Sequence, residues 1–153
     1  MASSQNFDGI IQKLKTQTMR LTSASIDAIH SAAQAVLAHR ADLAFAVLVG
    51  SRANGTAHAG SDWDIAIQWA PSLTGTDKWV ATELLRQELR HTLQVREDQI
   101  DLIDLADARL AMRALVAEEG IPVHIANDLA WVRFLQSTWS QLEDHQWRQQ
   151  HAA

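Results

Sequence analysis

Two apolar segments on either side of a loop of small residues constrain this chain most strongly. The segments span residues 43–49 and 65–69, and the loop between them begins with Gly50-Ser51 and ends with Asp62-Trp63-Asp64. Apolar runs bounded by turn residues predict a strand, a loop and a second strand. The turn pairs Asn54-Gly55 and Gly60-Ser61 allow the loop to double back. We therefore expect the two aspartates to face Ser51.

The two ends of this loop carry complementary chemistry. Glycine at position 50 lets backbone N–H groups approach a phosphate, and Ser51 adds a hydroxyl. Asp62 and Asp64 lie two residues apart on a strand, so both carboxylates point to one face. Neighbouring carboxylates repel unless a cation lies between them, and Mg²⁺ takes oxygen ligands and also holds phosphates. The pattern therefore indicates phosphoryl or nucleotidyl transfer, with a glycine-rich hairpin and a solvated acidic tip as the alternative.

This spacing resembles the signature of the DNA polymerase β nucleotidyltransferase superfamily, which is Gly-Ser, ten residues and then Asp-x-Asp. Within that superfamily, the short length and the form GSRANGT…GSDWDIAI are similar to the minimal nucleotidyltransferases of MntA-type antitoxins. The resemblance covers about residues 26–126, inside a single expected domain of residues 1–153 with a helix appended at each end. It implies an α/β fold with a small mixed β-sheet and helices packed mainly on one face.

The remaining elements follow from hydrophobic periodicity and turn residues. The strand over residues 43–49 is apolar throughout, so it is expected at the centre of the sheet with both faces covered. Pro122 places a short strand over residues 121–125 at an edge or a strand start. Helices are predicted at about residues 9–21, 26–39, 78–95, 106–119 and from an Asn127 or Asp128 cap to about residue 149.

A third predicted strand, residues 99–105, contains two further aspartates. Asp101 shares a face with Ile103, whereas Asp104 shares the opposite face with Leu102. A carboxylate among apolar residues is costly to bury without a partner, and a metal would compensate it. The resemblance of the QIDLIDL run to minimal nucleotidyltransferases implies that Asp101 is the third catalytic acid. Asp104 is interpreted as a cap for the following helix.

The resemblance also implies a role for each site residue. Asp62 and Asp64 hold Mg²⁺ that bridges the triphosphate of ATP, and Asp101 joins them as a metal ligand or takes the proton of the acceptor hydroxyl. Gly50 and Ser51 bind the phosphates. Arg52 is expected to bind the triphosphate, with an exposed loop residue as the alternative.

The acceptor that this resemblance implies is a tyrosine of a cognate HEPN-domain ribonuclease, a HepT-type toxin, held in a hetero-oligomer. Addition of AMP would block the ribonuclease site. The chain contains no Tyr, so tyrosine adenylylation must act on a partner. Trp131, Phe134 and Trp139 are the expected docking region because aromatic residues anchor interfaces, and a core-facing stripe is the alternative.

Two other functions remain open on the sequence. Small nucleotidyltransferases that adenylylate aminoglycosides share the Gly-Ser and Asp-x-Asp motif, but they usually carry a further domain for which 153 residues leave no room. A non-catalytic antitoxin could also neutralise its toxin by steric occlusion.

The composition limits which cellular location and which kinds of ligand are expected for this protein. The chain has no Cys, which excludes a disulfide framework and zinc-thiolate sites. Its net charge is −5 without a basic run, which argues against direct nucleic-acid binding. No apolar run approaches the length of a membrane span, so a soluble cytoplasmic protein with no membrane contact is expected.

Overall fold

In the computed structural model, which describes residues 9, 10, 12, 24–58 and 60–152, helices and strands alternate along the chain. The elements are α1 (Ala24–Leu37), β1 (Leu43–Val49), the one-turn helix α2 (Ser51–Asn54), β2 (Trp63–Trp69), α3 (Gly75–Leu93), a 3₁₀ turn (Glu97–Gln99), β3 (Ile100–Asp104), α4 (Leu110–Glu119), β4 (Ile121–Ile125) and α5 (Asp128–His151). Residues 9, 10 and 12 are also helical, while most of the helix predicted over 9–21 lies outside the described residues.

The four strands form one mixed sheet in the order β3-β2-β1-β4. β1 runs antiparallel to both β2 and β4, and β2 runs parallel to β3. β1 is buried at all seven positions, which confirms its predicted central place. β4 is an edge strand. Pro122 has no backbone N–H to donate, and an edge strand tolerates this because only one of its sides is paired. The α/β class with a small mixed sheet is confirmed.

Helices cover both faces of the sheet rather than mainly one. Leu48 and Ile65 belong to a buried cluster with Leu85 of α3 and with α1. Alternate residues of β1, such as Val47, belong to a second cluster with Val116 of α4 and with α5. The physical reason is that β1 is apolar on both faces, so each face needs a covering layer.

The predicted start of α4 is wrong by four residues. Residues 105–107 form a turn, and the helix begins at Leu110 with Arg109 as its N-cap residue. Asp104 caps the turn instead, because its Oδ1 accepts a hydrogen bond from the Ala106 N–H at 3.0 Å. Its other carboxylate oxygen lies 2.8 Å from Lys78 Nζ. By contrast, Asn127 caps α5 as predicted, and its Oδ1 accepts from the Ala130 N–H at 3.0 Å.

Helix α5 uses its aromatic residues in the core, so the predicted docking region is wrong. Trp131 and Phe134 are 1% and 6% exposed. Their rings lie 5.0 and 5.5 Å from the ring of Phe45 in β1. Trp139 packs against the same cluster. Leu129 is 56% exposed, because the buried face of the helix is centred on Trp131, Phe134 and Leu135.

None of the described helices is both long enough and apolar enough to cross a membrane.

Two of the three tryptophans of α5, at positions 131 and 147, provide a matched test of this packing. Trp131→Ala is expected to lower the free energy of unfolding by about 3–5 kcal/mol, because it removes a buried indole and leaves a cavity. Trp147→Ala should change it by less than about 0.5 kcal/mol, since that side chain is 62% exposed. Urea titration of both variants measures the difference. Equal losses would contradict the packing described here.

Candidate active site

The predicted site residues meet where β1 ends and β2 and β3 begin. In the strand register Val49 lies opposite Asp64, and Asp64 lies opposite Asp101. Gly50 follows Val49 directly, so the structure brings Gly50, Asp64 and Asp101 to one edge of the sheet. Asp104 lies at the far end of β3, paired with Lys78. Of the two aspartates in β3, the structure therefore places Asp101 beside Asp64.

Gly50 occupies a position that no other residue fits without strain. Its φ is +73°, a left-handed conformation that L side chains rarely adopt. A Cβ atom at this position would also overlap Oδ2 of Asp64. The absence of a side chain therefore lets the backbone lie against the carboxylate, whereas the predicted approach of this backbone to a phosphate stays a prediction.

Ser51 begins α2, a single helical turn where the sequence predicted only loop. The N–H groups of Ala53 and Asn54 donate to the Gly50 carbonyl at 3.0 and 3.1 Å. Gly55, with φ +80°, ends the turn. The first N–H groups of a helical turn have no partner within it, so those at Ser51 and Arg52 are suited to bind an external anion.

The electrostatics of Asp64 show that three carboxylates share this edge. Burial raises the pKa of Asp64, and the negative charges of Asp101 and Asp62 raise it further. Asp64 is partly buried, while Asp62 and Asp101 are exposed. Like charges raise a carboxyl pKa only where they lie close to it, so Asp62 and Asp101 each interact with Asp64.

The donor set at this edge fits Mg²⁺ in its chemistry. Carboxylate oxygens are the hard ligands that Mg²⁺ prefers. Among the described residues, no Lys or Arg nitrogen forms an ion pair within 4.0 Å with Asp62, Asp64 or Asp101. Within the same part of the chain, no three acidic, His or Cys side chains are already gathered at metal-binding distances. Asp62, Asp64 and Asp101 would therefore have to move closer together to hold the cation, whose charge would neutralise their repulsion.

Arg52 is bound to the loop that carries Asp62. Its Nε and one terminal nitrogen donate to the Ser61 carbonyl at 3.2 and 2.7 Å. Its guanidinium carbon lies 3.7 Å from the ring centroid of Trp63. Burial lowers the pKa of Arg52, and the charge of Asp62 opposes that effect. The exposed-loop alternative is wrong, whereas phosphate binding by Arg52 stays a prediction.

Trp63 and Ser61 are site residues that sequence reasoning missed. Trp63 lies between the two aspartates and faces the opposite side of the sheet, where it supports Arg52. Ser61 is 9% exposed, and its Oγ accepts from the His58 N–H at 2.9 Å. A Trp between two aspartates is the sequence signal for this role, because a strand that presents acids on one face buries the other face.

The pKa of Asp64 leads to a prediction about stability. Because the folded-state pKa is raised, the folded protein holds this proton at higher pH than the unfolded chain does. Stability should therefore fall as pH rises from about 4, the ordinary pKa of Asp, through the folded-state value. Asp64→Asn is expected to raise the melting temperature at pH 7.5 in chelator, by an amount that shrinks as pH falls toward 4.

Asp98→Asn is the matched control for this prediction. The hydrogen bond from Arg96 lowers the pKa of Asp98, so its neutralisation should give no gain in stability at pH 7.5. Melting curves of both variants across the pH range measure the effect. A lower melting temperature for Asp64→Asn than for the wild type would contradict the proposed repulsion.

Comparison with known proteins agrees with this geometry. No protein with a curated description matches the chain. Among solved structures, a chain of a crystal structure of a toxin–antitoxin with AMP-PNP is 26% identical, with a TM-score of 0.61 over 79% of this chain and 92% of that one. A chain from the tri-AMPylated Shewanella oneidensis HEPN toxin in complex with MNT antitoxin is 23% identical, with a TM-score of 0.57 over 80% and 90% of the two chains.

The toxin–antitoxin complex MntA-HepT gives a similar match, with 22% identity, a TM-score of 0.57 and coverage of 80% and 91%. At this identity, the last two likenesses show the fold alone. The model of the polymerase beta nucleotidyltransferase family matches residues 32–128, which is more than half of the chain and includes every predicted site residue. The chain therefore belongs to the polymerase beta nucleotidyltransferase family.

Proposed function

We propose that this chain is a Mg²⁺-dependent antitoxin that transfers AMP from ATP to a tyrosine hydroxyl of a cognate HEPN-domain toxin. The observation that carries the proposal is the contact between the Gly50 backbone and the Asp64 carboxylate, with Asp101 beside Asp64. It is supported by the family match and by the likeness to a toxin–antitoxin structure that contains AMP-PNP.

Each site residue would have its own role in the transfer of AMP. Gly50, which leaves room beside the backbone, and the N–H groups at Ser51 and Arg52 would bind the β- and γ-phosphates, and Asp62, Asp64 and Asp101 would hold the metal. When bound, Mg²⁺ supplies positive charge that stabilises the attacking and leaving oxygens. The acceptor oxygen bonds to the α-phosphorus, Asp101 takes its proton, and the bond to the leaving pyrophosphate breaks. Arg52 keeps the loop before Asp62 in place through the Ser61 carbonyl.

The acceptor hydroxyl must come from another molecule. The chain contains no Tyr, so a tyrosine acceptor cannot be its own. One of the solved structures that resemble this chain contains a tri-AMPylated HEPN toxin in complex with an MNT antitoxin. By analogy, the partner here would be a HepT-type ribonuclease held in a hetero-oligomer in which its acceptor lies against the Asp101 edge of the sheet.

The double variant Asp62→Ala, Asp64→Ala tests the catalytic assignment. We expect it to fold, because Asp62 is exposed and loss of charge at Asp64 relieves repulsion, but to transfer no detectable AMP. Intact-mass spectrometry of the mixture with the toxin, ATP and Mg²⁺ should show AMP on the toxin with the wild-type chain and none with the variant. AMP on this chain instead of the toxin would contradict the proposal. Undiminished neutralisation by the inactive variant would favour steric occlusion.

Two glycine substitutions separate backbone strain from the phosphate site. Gly50 and Gly55 both have positive φ, so alanine at either is expected to cost about 1–3 kcal/mol of stability, with the larger cost at Gly50, whose ψ of −155° lies outside the αL region. Only at Gly50 would the new Cβ meet Asp64, since nothing lies within 4 Å of the same position at Gly55. Gly50→Ala should therefore reduce the transfer rate by about a hundredfold, and Gly55→Ala should leave it near the wild-type rate.

Single-turnover transfer assays at a temperature where both variants are folded measure this difference. Equal loss of rate in the two variants would mean that strain alone, rather than the contact with Asp64, determines the effect.

A further inference from the structure

A second concave site lies at the opposite end of the sheet from the carboxylates. Its volume is about 670 Å³, and it is lined where β1 begins, where β2 ends and where α5 begins, with Arg113 of α4 at one side. β1 has seven residues between this cavity and Gly50. At about 3.3 Å per residue, the two sites lie roughly 20 Å apart.

Arg113 is the unusual residue of this cavity because its charge is poorly compensated. It is partly buried, and its Nε is buried without a hydrogen-bond partner. Its terminal nitrogens reach only the Leu105 carbonyl at 3.4 Å and the Ser137 hydroxyl at 3.5 Å, both at the limit of a hydrogen bond. A guanidinium has five N–H donors, so most of the binding capacity of Arg113 is unused.

The other partly buried arginines of the described residues show that this is not the general pattern. Arg40 forms an ion pair with Glu88 at 2.7 Å, and Arg86 forms one with Glu83. Arg52 donates two hydrogen bonds to the Ser61 carbonyl and stacks on Trp63. Within the described part of the chain, Arg113 has neither a carboxylate within 4.0 Å nor a hydrogen bond shorter than 3.4 Å. A partly buried charge without a counter-ion is costly, so an external anion would be favoured there.

The rest of the cavity suits the body of a small molecule. Ala44 and Phe134 line the cavity with apolar groups, and the Arg113 guanidinium carbon lies 5.2 Å from the Phe134 ring centroid. Arg133 adds a second positive charge at the rim, against the single negative charge of Asp128. A volume of this size is typical of ligand sites, whereas protein partners usually bind flatter surfaces.

We propose that this cavity binds a small organic anion, with a carboxylate or phosphate group at Arg113 and an apolar or aromatic body against Phe134. The site is separate from nucleotide transfer and does not depend on the proposed function. Arginine binds both kinds of anionic group through two parallel hydrogen bonds. The carboxylate and phosphate arms of the experiment distinguish the two.

The test is calorimetric titration of the full chain with benzoate and with phenyl phosphate. Inorganic phosphate serves as the comparison probe because it has the anionic group without an aromatic ring. We expect saturable binding of one equivalent of benzoate or phenyl phosphate and weaker binding of inorganic phosphate. Arg113→Met should weaken binding by at least about tenfold, which is the usual effect of losing a hydrogen-bonded ion pair. Arg109→Met removes the same charge just before α4 but outside the cavity, and it should leave the affinity unchanged.

Further measurements keep the proposal testable if Arg113→Met does not fold. Arg133→Met changes an exposed residue and should weaken binding several-fold. In NMR spectra, the indole resonance of Trp69, which lines the cavity, should move on titration, while that of exposed Trp147 should not. Absence of saturable binding by both organic probes would overturn the proposal. So would displacement by ATP with Mg²⁺, or equal weakening in Arg109→Met.

Discussion

The approach of the Gly50 backbone to the Asp64 carboxylate is the contact on which the rest of this structure depends. It requires an antiparallel β1–β2 pair in which Val49 lies opposite Asp64, and a residue without a side chain at position 50. The loop between the strands must then return to the same edge, which the hydrogen bonds of Arg52 and His58 with Ser61 accomplish. The N–H groups at the start of α2 and the carboxylates of β2 and β3 are thereby brought to the same edge of the sheet.

The electrostatics of this edge act against the stability of the fold. Burial and two like charges raise the pKa of Asp64, so ionised Asp64 destabilises the native state. The sheet tolerates the repulsion at Asp64 because β1 is buried along its whole length and helices cover both faces of the sheet. Asp64 and Asp101 lie on β2 and β3, and β2 pairs directly with the fully buried strand β1, so the core supports the edge where the carboxylates repel each other.

The arginines illustrate how one residue type takes different roles according to its surroundings. Arg52 donates hydrogen bonds to the Ser61 carbonyl and stacks on the Trp63 indole. It is therefore part of the framework of the candidate site. Arg113 has a comparable degree of burial, but its nearest acceptors lie at 3.4 and 3.5 Å. The unused donors of Arg113, at the wall of a cavity far from the catalytic edge, are the basis for assigning it a ligand.

The sequence by itself determined the strands, the turn glycines, the central place of β1 and the aspartates at the catalytic edge, because these depend on local periodicity and on side-chain chemistry at short spacing. Only the tertiary structure decided that helices cover both faces, that Trp131 and Phe134 lie in the core, and that Arg52 binds Ser61. Those features depend on the rotation of each helix against the sheet and on which distant residues come together. Local sequence does not specify either, because an apolar stripe shows that a surface is buried without showing what buries it.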